Sequence, residues 1–165
     1  RDGVPMVWVT HDLDQAARLA EWRLEMREGR VVSSAAVPAA RLRRPEAPAQ
    51  WSVGAVLAHL GDAEMVIGTR SRFIVGDVDP ALPGFDQDRW AAEYHYMDAD
   101  PTTALQFFIA LRAGNLRHWQ ALSPEQWQRI GHHSERGAVT AILNLKIAAA
   151  HDLVHRRQID RILRG

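Results

Sequence analysis

Three histidines fall on the apolar stripes of two helical segments far apart in the chain, and no other feature limits the fold so tightly. The first segment reads Trp51-Ser52-Val53-Gly54-Ala55-Val56-Leu57-Ala58-His59-Leu60-Gly61-Asp62-Ala63-Glu64. The second reads Ala150-His151-Asp152-Leu153-Val154-His155-Arg156-Arg157-Gln158-Ile159. Val56 and Ala63 flank His59 one turn to either side, and Ala148, Ile159 and Ile162 share the line of His151 and His155. All three rings are therefore expected to point into one helix-bundle core. Buried imidazoles are costly when their nitrogens find no partner. A divalent metal satisfies three of them at once.

The H-x-x-x-H spacing of His151 and His155 is a weak signal alone, because eight histidines in 165 residues produce such pairs by chance. Facing is what carries weight. One inward histidine is ordinarily a core residue bonded to a carbonyl, whereas three from two helices are better explained by a shared ligand. Three neutral imidazoles leave a coordination position open for water or substrate, the pattern of a catalytic metal site. Asp62 and Glu64, beside His59, are candidates for carboxylates that orient a ring N–H, or else for ordinary solvated helix positions. Asp152 follows His151 where H-E-x-x-H proteases carry Glu; it is one methylene shorter, so a protease is not favoured, and Asp152 stands as a pocket candidate. His95, His118, His132 and His133 are expected in loops or on exposed faces. No general base stands out, and the catalytic residues are unassigned.

Composition sets the outer limits. A chain of 165 residues with 47% hydrophobic content suits one domain with a substantial core. Zero net charge argues against nucleic acid or an acidic membrane as partner. The absence of cysteine excludes disulfides, Cys-ligated zinc and iron–sulfur clusters, and fits a cytoplasmic location. No apolar run approaches the roughly 20 residues of a membrane span, and Arg1-Asp2-Gly3 opens no secretory segment. The expected partner is a small-molecule substrate.

Helix signals predict an all-α, up-and-down four-helix bundle with long connections. A first helix is predicted over 12–28, capped by Asp12, after a β-branched stretch at 4–9 that is the one strand candidate. The stretch 33–50 holds Pro38, Pro45 and Pro48 with Arg41, Arg43 and Arg44, and reads as a linker with one short helical turn. Ser52 caps a second helix running to about Arg72, with Trp51 as its staple. Loop 76–84 and a short helix near 86–93 follow. Asp100-Pro101 opens the third helix, and Ser123-Pro124 a short one bearing Trp127. Polar loop 131–137 leads to the last helix, about 138–163.

Over about residues 41–163 the chain resembles the DinB-like superfamily, which includes YfiT-type proteins and thiol-dependent transferases. The landmarks are Trp51-Ser52-Val53, Leu57-Ala58-His59-Leu60 with acidic residues after it, Arg112 with Asn115-Leu116, and Leu122-Ser123-Pro124-Glu125 with Trp127. They continue with Gly131-His132-His133 and His151-Asp152-x-x-His155-x-x-Gln158-Ile159. The resemblance implies a four-helix bundle holding nickel, zinc or iron through His59, His151 and His155, with His133 at a loop histidine common in the family. It also implies a metal-dependent hydrolase or a thiol-dependent transferase with a low-molecular-weight thiol cosubstrate, often homodimeric. The rival expectation is a non-catalytic bundle in which metal is structural or absent.

Residues 4–32, with Val7-Trp8-Val9-Thr10-His11-Asp12 and Arg27-Glu28-Gly29-Arg30-Val31-Val32, resemble the switch-histidine segment of an ABC-transporter ATPase. No phosphate-binding loop accompanies them, so no ATP site is expected. The expected division is a remnant over 1–32 that supplies the first bundle helix, a linker over 33–50 and the helical bundle over 51–165; the ATPase-like pattern instead asks for helix to about Ala20 and then a strand in which Trp22, Leu24 and Met26 alternate with charged residues.

Overall fold

The computed structural model describes residues 23–27 and 30–35 in their backbone and residues 37–164 in full. In chain order the elements are β1 (Arg23–Arg27), β2 (Arg30–Ala35), α1 (Ala39–Arg43) and α2 (Val53–Gly76). Then come β3 (Ala81–Leu82), α3 (Gln87–Glu93), a 3₁₀ turn (Tyr96–Asp98) and α4 (Pro101–Gln120). The chain ends with α5 (Pro124–Trp127), β4 (Ile130–His133), β5 (Gly137–Thr140) and α6 (Ala141–Arg164).

The helix starts follow local chemistry. Ser52 accepts from the backbone N–H of Ala55, and Asp100 accepts from Thr103 with Pro101 in the first helical turn. Ser123 and Gln126 close a capping box at α5. Helix α2 is the central element, with α4 and α6 both packed on it. Gly54, Gly61 and Gly68, one every seven residues, let α4 come close. A Cβ at these positions would meet Pro101 at 3.1 Å, Phe107 at 2.7 Å and Asn115 at 2.3 Å.

Those contacts also fix direction: residue numbers rise together along α2 and α4, so the two helices run parallel. Against α2, α6 runs antiparallel, since His59 faces His151 while the carbonyl of Ile67 accepts from Asn144. The up-and-down expectation is therefore corrected. The long connection Asp77–Asp100 carries β3, α3 and the 3₁₀ turn back to the start of α2 before α4 begins.

Two further expectations change. Helix was predicted over 12–28, but Arg23–Arg27 is a strand paired antiparallel with Arg30–Ala35, from Arg23 opposite Ala35 to Arg27 opposite Arg30. Leu24 and Met26 alternate with charged residues, the period of a strand rather than a helix. The rest of that prediction, the strand candidate at 4–9 and His11 lie outside the described residues. The loops predicted at 76–84 and 131–137 contain a small sheet in the order β3-β4-β5, with β3 parallel and β5 antiparallel to β4. It packs Leu82 and Val139 on Ile74 and Ala141, closing the far end of the bundle.

The main core joins Val53, Val56, Leu57 and Leu60 of α2 to Leu105 of α4 and Ile162 of α6. A second cluster, Ile67, Trp119 and Ala148, lies further along the same three helices. Each such side chain contributes about 1.5–3 kcal/mol when fully buried. On α6 His151 and His155 fall between these clusters, and on α2 His59 lies among the residues of the main core. No described helix is long and apolar enough to cross a membrane.

Candidate metal centre

His59 sits on α2 with no exposed surface, and the α2 and α6 stripes bring His151 and His155 against it. The Nε2 atoms of His59 and His151 are 2.9 Å apart, and those of His151 and His155 3.1 Å. One nitrogen from each ring lies within 4.8 Å of the others, the arrangement expected from the sequence stripes.

Proton accounting tests whether these rings suit a metal. Nδ1 of His155 is 2.8 Å from Oε1 of Gln158 and donates to it, which leaves His155 Nε2 as a bare lone pair in the neutral ring. A single proton on His151 Nε2 can serve one of its two neighbours, so one contact stays lone pair against lone pair. Protonation of His59 or His151 does not relieve the crowding. Burial, and then the charges of His151 and His155, push His59 down to about 3. Burial, His155, Arg112 and Arg136 push His151 down to about 4. Neutral rings with converging lone pairs are what a cation requires. Nitrogens about 2.0–2.1 Å from a shared ion stand about 2.9–3.4 Å from one another, which the two measured distances match.

Aromatic rings wall the centre. Trp51 lies 5.1 Å from His59 and runs nearly parallel to His155 at 6.5 Å, while Phe85 and Tyr96 stand 6.1 and 6.4 Å from His59. His59 Nδ1 is buried without a partner, so packing rather than a hydrogen bond orients that ring.

The carboxylates named from the sequence make other bonds. Asp62 accepts from the Tyr96 hydroxyl at 2.5 Å. Glu64, 2% exposed, accepts from Arg112 at 2.7 Å and from Asn115 at 2.8 Å. Asp152 accepts from both terminal nitrogens of Arg112, at 2.8 and 3.1 Å. Arg112 thus ties α2, α4 and α6 together beside His151. Burial works against its charge, but the hydrogen bonds and charges of Glu64 and Asp152 outweigh this and hold it firmly protonated. Arg72 extends the network by donating to Oδ1 of Asn115.

His133, expected in a loop or on an exposed face and also a candidate pocket residue, lies in β4 and is buried. His132 is exposed and paired with Asp79, and His118 meets the Ser71 hydroxyl at 3.1 Å. The sequence names Arg112 only as a landmark of the resemblance and Tyr96, with Tyr94, only as a residue that could line a pocket, and gives neither a role beside the histidines. Arg112 lies one turn from Asn115, on the buried side of α4, which is the signal that was available.

A family model described as the DinB superfamily matches residues 23–159. A protein of Oceanobacillus iheyensis, named as a candidate metal-dependent hydrolase, is 25% identical over 116 residues, or 68% of this chain. The chain spans 64% of the length of that curated relative. YfiT from Bacillus subtilis, described as a probable metal-dependent hydrolase with an unusual four-helix bundle topology, superposes with a TM-score of 0.64 at 22% identity. The superposition covers 77% of this chain and 75% of YfiT, and establishes the fold as that of this helical bundle.

Proposed function

The chain belongs to the DinB superfamily, and from that premise we propose that His59, His151 and His155 hold one divalent metal ion in a metal-dependent hydrolase of small molecules. The convergence of three Nε2 atoms, with no proton arrangement that satisfies them all, is the observation that carries this reading. A divalent ion there supplies Lewis acidity and a nucleophile at neutral pH. Imidazole donors suit nickel, zinc and iron alike.

The chain's own residues prepare the site. Gln158 selects the His155 tautomer that frees Nε2. Arg112 holds Asp152, and through it the rotation of α6 that carries both His151 and His155. Trp51, Phe85 and Tyr96 limit the entry of bulk water. The all-neutral donor set favours a second reading on the same site, activation of a low-molecular-weight thiol for transfer, because nothing in it offsets the cation's charge before a thiolate arrives.

A panel of esters, amides and thiol–electrophile pairs, run with metal-loaded wild type and with His59→Ala, tests both readings. Turnover by the loaded wild type and none by the variant supports the proposal, and the class of substrate turned over separates hydrolysis from transfer. Equal turnover by metal-depleted protein removes it.

A further inference from the structure

Beyond the histidines, toward the small sheet, two buried side chains present donors that no acceptor meets among the described residues. Arg70 follows His59 by eleven residues on α2, which puts it on the same helix face and about 16 Å further along the axis. It is 6% exposed, and its Nε donates to the carbonyl of Pro83 at 2.7 Å. Its terminal nitrogens find no acceptor and no carboxylate pairs with it among the described residues.

His133 is also 6% exposed. Its Nδ1 accepts from the backbone N–H of Glu135 at 3.2 Å, so the neutral ring carries its proton on Nε2, a second donor without a partner among the described residues. The two groups are close neighbours: His133 pairs across the sheet with Leu82, the residue before the carbonyl that Arg70 holds. Arg136, exposed on the turn between β4 and β5, adds a positive charge that acts on Arg70, His133 and His151 alike. Glu135, also exposed, is the acidic group that opposes it.

A charged group taken out of water ordinarily acquires a partner. Burial, followed by the charge of Arg136, lowers the pKa of Arg70, which marks it as under-compensated. Its free nitrogens still meet solvent, because the fully enclosed unpartnered side-chain nitrogens among the described residues are His59 Nδ1 and Arg112 Nε. They are therefore not sealed off from the surface.

We propose that Arg70, His133 and Arg136 form an oxyanion subsite for the carboxylate or phosphate of an elongated small molecule whose reactive end reaches the three histidines. The reach to the histidines rests on the proposed metal centre; the binding of an anion does not. Two buried donors and the charge of Arg136, against which Glu135 is the acidic group, favour an anion over a neutral polar group. The separation along α2 asks for a molecule about as long as five residues of extended chain.

Isothermal titration of metal-depleted protein with inorganic phosphate, and separately with succinate, at low ionic strength tests the subsite. Saturable binding of either anion is expected, weakened about tenfold or more in Arg70→Gln, which removes a charged double donor. Arg136→Ala, at an exposed turn that leaves the core untouched, is expected to weaken it severalfold. Whichever anion binds identifies the group. No saturable binding of either, or binding unchanged in both variants, overturns the proposal. Repeating the titrations in His151→Ala/His155→Ala separates the two claims: anion binding is expected to survive there, whether or not a metal binds the wild type.

Discussion

Arg112 grips Asp152 with both terminal nitrogens, at 2.8 and 3.1 Å, one residue from the histidine that touches both of its fellows. The same guanidinium holds Glu64, with side-chain exposures of 5% for Arg112 and 1% for Glu64. A buried pair of this kind adds little net stability but is dangerous to break from one side.

Arg112→Met is therefore expected to cost about 3–5 kcal/mol, because Glu64 stays buried with its charge unmatched. The double variant Arg112→Met/Glu64→Gln should recover a large part of that loss. Urea unfolding of wild type, single and double variants decides it. A single variant as stable as wild type would show that the network carries no such load.

Close approach of α2 and α4 gives a paired test with opposite signs. A Cβ at residue 68 would stand 2.3 Å from both terminal atoms of Asn115, the residue that holds Glu64. Gly68→Ala is expected to destabilise by about 1–3 kcal/mol. Gly114→Ala, in the middle of α4 with nothing within 4 Å, should instead stabilise by about 0.5–1 kcal/mol. Thermal melts of the two variants read both signs, and a neutral Gly68→Ala contradicts the packing described.

Acid should weaken the metal-depleted protein well before its carboxylates titrate. His59 and His151 sit at about 3 and about 4 when folded, against 6.5 in the unfolded chain. Below 6.5 the unfolded chain binds protons that the folded one refuses. Stability is therefore complete above about pH 6.5 and falls as the pH drops toward 4 and then 3. His118 and His133, both lowered by burial, act in the same direction. Urea midpoints between pH 7.5 and 5 should decline, and His59→Gln/His151→Gln should flatten the decline. A midpoint that holds steady or rises on acidification contradicts the buried neutral rings.

What the sequence made legible was what depends on neighbours in the chain. The caps at Ser52, Asp100 and Ser123 act over three or four residues, so their helices start where expected. The inward facing of His59, His151 and His155 follows from helical period, and needed only that α2 and α6 pack together. Direction was another matter. Nothing in Asp77–Asp100 announces that it returns along the bundle, so the parallel run of α2 and α4 was missed. The sheet was hidden because β3 has two residues and pairs with a strand some fifty positions on, too little for a period to register. Arg112 stood out only as a landmark of the resemblance; its role was missed because an arginine on a helix ordinarily lies in solvent, and only its two carboxylate partners, on other helices, show why this one does not.

The central claim is that three imidazole nitrogens share one ion, and metal stoichiometry reaches it most directly. Metal-depleted protein reloaded with nickel, zinc or iron(II) should retain close to one equivalent per chain after desalting, by elemental mass spectrometry. His151→Ala/His155→Ala should retain none while keeping its helical circular dichroism. Failure of the wild type to hold any of the three metals, or undiminished retention by the folded double variant, would contradict the account.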